Sequence, residues 1–252
     1  MKKLLPIILL LVVLSGVSLT NAQQATSIPF PKIGINVGTS NNPGDVSVTL
    51  QILFLLTILS LAPSLMIMTT AYLRIIIVFH FLKTAIGTPQ MPPSQLVAGI
   101  ALFITFFIMA PTWSKVNDIA LKPLMSNQIT PAEAYDKGIQ PVREFMFRNV
   151  RNDDLELFIG LANLSRPNDR NDLPTYVVVP AFVLSELRAG FIIGFFLFIP
   201  FLMIDLIVAS ILMSMGMMML PPSMISLPFK ILLFILIDGW HLIIGSVVRS
   251  FS

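Results

Sequence analysis

Two carboxylates stand inside otherwise apolar runs, Asp205 in "FLMIDLIV" and Asp238 in "LIDGW". An ionisable group in such a run is expensive to desolvate and implies a proton relay, a bond to a neighbouring helix or a paired cation. The cations available in comparable stretches are Lys230 and Arg74, and pairing or interhelical hydrogen bonding is the reading preferred over relay. An intramembrane aspartyl protease would use two such acids. Here they lie among bulky residues, without the Gly-x-Gly-Asp and Tyr-Asp contexts such chemistry uses. No zinc-protease HExxH, no Gly-x-Ser-x-Gly and no phosphate-binding loop occurs either. His80 and His241 show no ligand spacing and are expected to be packing residues, so no metal, cofactor or enzymatic activity is expected. Glu186 and Arg188, in "SELRAG", form another charged site. They suit ion pairs with a neighbouring subunit or plain solvation.

A different chemistry is concentrated in Ser210–Ile225, "SILMSMGMMMLPPSMI", which holds six of the 14 methionines. Met213 and Met217 fall on one face if the segment is helical, as do Met215 and Met219; Met218 lies between them. Gly216 permits close backbone approach or a kink, and Pro221 and Pro222 stop a helix. Thioethers are flexible and polarisable, so they fill irregular cores or form an adaptable surface. Residue types alone leave both readings open.

The elements around these residues must be apolar. Of 252 residues, 55% are hydrophobic and 12% charged, with mean hydropathy +0.85; soluble domains carry roughly 25% charged residues. The net charge of +3 forms no basic stripe, which argues against nucleic acid as a partner. Lys2 and Lys3 ahead of the apolar Leu4–Val17, then "TNA", predict a signal peptide over 1–22 cleaved between Ala22 and Gln23. The chain has no cysteine, so any exported part is held by packing and not by disulfides.

Residues 23–45 read as an extended segment. A first hydrophobic helical hairpin is expected over 46–111 and a second, carrying the Met-rich segment, over 189–252. Between them, 112–188 reads as a water-exposed helical domain. Lys115–Arg188 alone holds nine Lys/Arg and ten Asp/Glu. "TPAE" (Thr130–Glu133) is a capping box with Pro at the first helical position, predicting a helix to about Asn149; a second is expected over Asp153–Leu164. Pro-Pro-Ser precedes an apolar helix twice, in "MPPSQLVAG" and "LPPSMISLP", so each hairpin turns at Pro-Pro. The bend of the first carries Arg74 and Lys83 and no acid, which favours the cytoplasmic side. With a cleaved signal, this places the inserted domain outside the cytoplasm. The whole is an all-α integral membrane protein. If Val46–Lys83 were one helix it would extend roughly 57 Å, against a hydrocarbon core of about 30 Å. Such helices call for a multi-subunit assembly in which neighbours replace lipid.

Three long runs, "AYLRIIIVFHFLKTAIGTPQMPPSQLVAGIALFITFFIMAP" (Ala71–Pro111), "PAFVLSELRAGFIIGFFLFIPFLMIDLIVASILMSMGMMMLPP" (Pro180–Pro222) and "PFKILLFILIDGW" (Pro228–Trp240), resemble the FliP family of flagellar biosynthesis. The resemblance covers about Val46 to the end. Ser94 stands where that family often has Asn, and Ile192 where a polar or charged residue is common. The resemblance implies the export-gate core of type III secretion, in its flagellar branch, since a signal peptide is unusual in the injectisome branch. It further implies a homopentameric helical spiral with FliQ-like and FliR-like subunits, alongside FlhB-like and FlhA-like export components. That assembly, in the inner membrane within the basal body, would conduct unfolded flagellar substrates and sit largely above the membrane plane. Met213, Met215, Met217, Met218 and Met219 become a pore gasket, with Gly216, Pro221 and Pro222 as the helix break. Arg74, Glu186, Arg188, Asp205, Lys230 and Asp238 become candidate polar contacts between subunits. The alternatives carried are an injectisome gate subunit and a transporter built from repeats.

Overall fold

The computed structural model describes residues 43–88, 91–164, 169, 172–217 and 220–251. The expected signal peptide, the Ala22/Gln23 cleavage site, most of the extended segment, and Met218 and Met219 lie outside the described residues. Backbone contacts divide the chain into Met1–Ile52 and Leu53–Ser252; the described part of the first unit is the start of one helix.

Every regular element among the described residues is helical. In order they are α1 (Pro43–Met68), α2 (Tyr72–Ile86), α3 (Ser94–Val116), α4 (Pro131–Asn149), α5 (Asn152–Leu161), α6 (Thr175–Ser214), α7 (Pro222–Leu236) and α8 (Gly239–Arg249). A π-helical turn, Asn117–Leu121, and an α-turn, Lys122–Met125, prolong α3. Three helical stretches are long and apolar enough to cross a membrane: Leu50–Met68, Ser94–Met125 and Thr175–Ser214. The pair α7 and α8, bent by 64°, makes a fourth if it is one broken span.

The uncharged stretch Val46–Leu73 is not one helix. It breaks at Thr69–Ala71, and α2 restarts beneath it. No residue of the Leu50–Met68 span is buried, whereas α2 buries Arg74, Ile75, Val78, Phe79, Leu82 and Ala85. Lipid or other protein must therefore cover α1, while α2 is the central post of the fold. The core gathers Ile75 and Phe79 of α2, Ala101 and Met109 of α3, Phe145 and Met146 of α4, and Phe182 of α6.

The change of composition at residues 111/112 and 188/189 does not interrupt the backbone. Helix α3 passes through Pro111, and α6 runs unbroken for 40 residues through Arg188. At 1.5 Å per residue α6 is roughly 60 Å long, about twice the thickness of a hydrocarbon core, so part of it stands outside. The capping box forms: the Thr130 hydroxyl accepts from the Glu133 N–H, and the Glu133 carboxylate accepts from the Thr130 N–H. That backbone bond first, and the Thr130 hydroxyl second, hold the Glu133 carboxyl below its ordinary range.

Helices α2 and α6 meet through Gly190 and Gly194, one turn apart and facing Ile77 and Phe81. A Cβ built at Gly194 falls 2.5 Å from the Phe81 ring and 2.9 Å from its Cβ, so the helix axes could not stay this close. Gly194→Val is expected to lose about 1–3 kcal/mol of stability by overpacking, read as a lowered melting temperature in detergent. Gly99→Ala, with nothing within 4 Å of the added carbon, is the control and is expected to gain slightly from helix propensity. Equal melting temperatures for the two variants would contradict this packing.

Candidate functional site

Arg74 is almost wholly buried in α2, and its guanidinium forks onto Glu186 of α6, Nε to Oε2 at 2.9 Å with Nη2 on Oε1. Nη1 donates at 2.8 Å to both the carbonyl and the hydroxyl of Ser250. The Phe251 ring lies 3.7 Å from the guanidinium carbon and stacks on Phe145 of α4. Planar bidentate geometry suits arginine and a carboxylate; every nitrogen of the guanidinium meets an acceptor, so the charge is tolerated in the core. Beside it, Ser185 accepts from the Arg151 N–H and donates to Asp154 at 2.7 Å, which fixes the start of α5 to α6. Arg143 of α4 donates to the Leu173 carbonyl and the Thr175 hydroxyl, both at 2.6 Å, tying α4 to the start of α6. Its burial lowers its basicity.

The second pair, with Lys230 buried and Asp205 partly exposed, lies near the other end of α2. Lys230 of α7 donates to Asp205 of α6 at 2.6 Å and to the Ala85 carbonyl in the last turn of α2 at 3.0 Å. Ser226 donates to the other Asp205 oxygen at 2.5 Å. One ammonium thus joins three helices.

This clamp stands below the turn that carries the methionines. Helix α6 ends at Ser214, not at the prolines: Gly216 adopts φ +73°, its N–H bonds to the Met213 carbonyl, and the Met217 N–H reaches back to Leu212. Glycine can take this left-handed conformation at no steric cost, and the paired bonds satisfy the last carbonyls. Pro221 and Pro222 act as the start of α7, with Pro222 in its first turn where a missing N–H costs nothing. Met217 therefore does not share a helical face with Met213. Met213, Met215 and Met217 are all exposed, by 61%, 66% and 44%, so within one chain they fill no core.

Helix α2 stops in the same way. Gly87 has φ +86°, with Gly87 N–H on Thr84 and Thr88 N–H on Lys83. In both turns Pro-Pro begins five residues after the glycine. The Pro-Pro-Ser match seen in sequence is part of a longer repeated unit whose stop signal is glycine. The sequence reading named Gly216 as part of the helix break but missed Gly87.

Of the six charged residues expected between subunits, Arg74, Glu186, Asp205 and Lys230 engage one another inside this chain. Glu186 cannot act with Arg188, because positions two apart on a helix point to different sides; Glu186 faces inward and Arg188 is exposed. Asp238 pairs with neither Lys230 nor Arg74. It occupies the bend between α7 and α8 at φ +50°, exposed, with no side-chain capping bond. Asp205 and Asp238 make no hydrogen bond to each other among the described residues, so they form no protease-like dyad. His80 and His241 are exposed and not packed.

The FliP family model matches residues 55–247. The flagellar biosynthetic protein FliP of Bacillus subtilis (strain 168) is 54% identical over 217 residues, covering 86% of this chain and 98% of that protein. Its namesake in Caulobacter vibrioides is 48% identical over 228 residues, 90% of this chain and 85% of that protein. That of Treponema pallidum is 45% identical over 239 residues, 94% and 88% respectively.

Proposed function

The chain belongs to the FliP family, and on that premise we propose that it is a core subunit of the flagellar type III export gate. Several copies, five by the family's pattern, surround an axis together with FliQ-like and FliR-like subunits. FlhB-like and FlhA-like components deliver unfolded flagellar proteins to the opening. The assembly belongs to the inner membrane within the basal body, with 112–188 on the extracytoplasmic side.

The observation that carries this reading is the exposed methionine turn at the end of a very apolar hairpin. A single chain leaves Met213, Met215 and Met217 exposed. Brought together around an axis, they form a ring of flexible apolar side chains. An apolar constriction excludes ions by dewetting, and thioethers re-pack around passing peptide of any sequence. The Asp205–Lys230–Ala85 clamp supports the turn from below. Nothing in this reading requires catalysis.

The test is replacement of the Bacillus subtilis relative. A strain lacking its own FliP, given this chain, is expected to recover flagellin secretion and swimming. The same chain with Lys230→Met is expected to give neither. If the parent chain reaches the membrane and joins the partner subunits but secretes nothing, the gate reading is wrong.

A further inference from the structure

An apolar groove of about 380 Å³ runs between α6 and the bent pair α7–α8. Ile192, Phe196 and Pro200 line it from α6; Phe234, Leu242 and Ser246 line it from the other side. Along α6 it spans the ten residues from Ile192 to Phe201, about 14 Å, comparable with the roughly 15 Å of hydrocarbon in one leaflet. It opens sideways from a helix apolar enough to span a bilayer.

The end of the groove at Ile192 and Ser246 is where charge begins. Arg188 precedes Ile192 by one turn on the same stripe of α6, and Arg249 follows Ser246 by about one turn on α8. Both arginines are exposed, and neither makes an ion pair among the described residues. The two helix segments that carry them meet. The buried Arg74 binds Glu186, two residues from Arg188, and Ser250, next to Arg249. An apolar slot of acyl-chain depth, with an exposed arginine about one turn beyond its end on each wall, is complementary to an anionic amphiphile. Arginine forks bind phosphate oxygens bidentately.

We propose that this groove binds one anionic phospholipid, its tail between α6 and α7–α8 and its phosphate between Arg188 and Arg249. A bound lipid would brace the bend at Asp238 against the long helix and fill a slot that the chain leaves open. This inference concerns the membrane-embedded chain and holds or fails separately from the gate reading.

The full-length chain, purified in mild detergent and stripped of lipid, is titrated with phosphatidylglycerol or phosphatidylcholine and followed by native mass spectrometry. Phosphatidylglycerol is expected to bind at least about tenfold more tightly than phosphatidylcholine, a difference of about 1.4 kcal/mol. Arg188→Gln with Arg249→Gln should erase that preference, and Leu242→Trp, which fills the slot but keeps both charges, should weaken both lipids. The proposal is overturned if the two lipids bind equally to the parent, or if the double glutamine variant keeps the preference. It is equally overturned if neither lipid binds and Leu242→Trp breaks an oligomer, because the groove then seats a second copy of the chain.

Discussion

Arg74→Met is expected to cost about 3–5 kcal/mol and to leave little folded protein in the membrane. The substitution preserves much of the side chain's length and removes its charge. Glu186, with no exposure of its side chain, is then an uncompensated carboxylate in the core, and the Ser250 carbonyl and the Phe251 ring lose the group they close upon. Adding Glu186→Leu to Arg74→Met is expected to recover most of the loss, because replacing both members of a buried pair by apolar groups is often neutral or stabilising. Lys115→Ala gives the scale for an exposed pair: its bridge to Glu144 has both side chains more than half exposed and is worth at most about 1 kcal/mol. Thermal unfolding in detergent, on the two single and the double variants, gives the coupling directly. A Met variant as stable as the parent, or a double variant no better than the single, would show that this pair is not the post around which α2, α6 and the C-terminal turn are built.

That pair was also the part of the site least legible in the chain. Thr130–Glu133 announced its helix because a capping box is local: donor and acceptor lie three residues apart, and the helix ran to Asn149 as the motif implied. Asp205 and Lys230 were readable as an intramembrane acid seeking a cation, since both interrupt the same apolar region. Arg74 and Glu186 are 112 residues apart, and no spacing rule connects them; Glu186 was instead read with its sequence neighbour Arg188, which points elsewhere. The helix ends failed for a different reason. Gly216 was read together with Pro221 and Pro222 as one helix break, and Gly87 was passed over because proline is the conspicuous breaker; Gly87 and Gly216 do the stopping through their backbone conformation. Composition likewise suggested borders at 111/112 and 188/189, but a helix continues through both because water-facing and lipid-facing turns share one backbone geometry.

The methionine turn leads to the prediction with the clearest physiological readout. Replacing Met215, Met217, Met218 and Met219 together by Ala is expected to leave the amount of assembled complex near the parent's and to make the membrane leak small ions. In the protomer Met215 and Met217 are exposed by 66% and 44%, so truncating them removes little packing that holds the chain together. A packed core behaves otherwise, losing about 2–5 kcal/mol for each buried Met→Ala, and complex yield would collapse. In a ring each truncation shortens an apolar side chain facing the axis. The constriction widens until water fills it, and ions follow the water. Leucine at the same four positions keeps volume and hydrophobicity but adds branching and stiffness, so it should hold the seal and slow export, because a passing chain requires the side chains to re-pack. Two measurements on the same membranes, complex yield and conductance, separate the cases. Falling yield with no leak from the remaining complex would return these methionines to ordinary packing between subunits, and the seal would then have to be sought in another chain of the assembly.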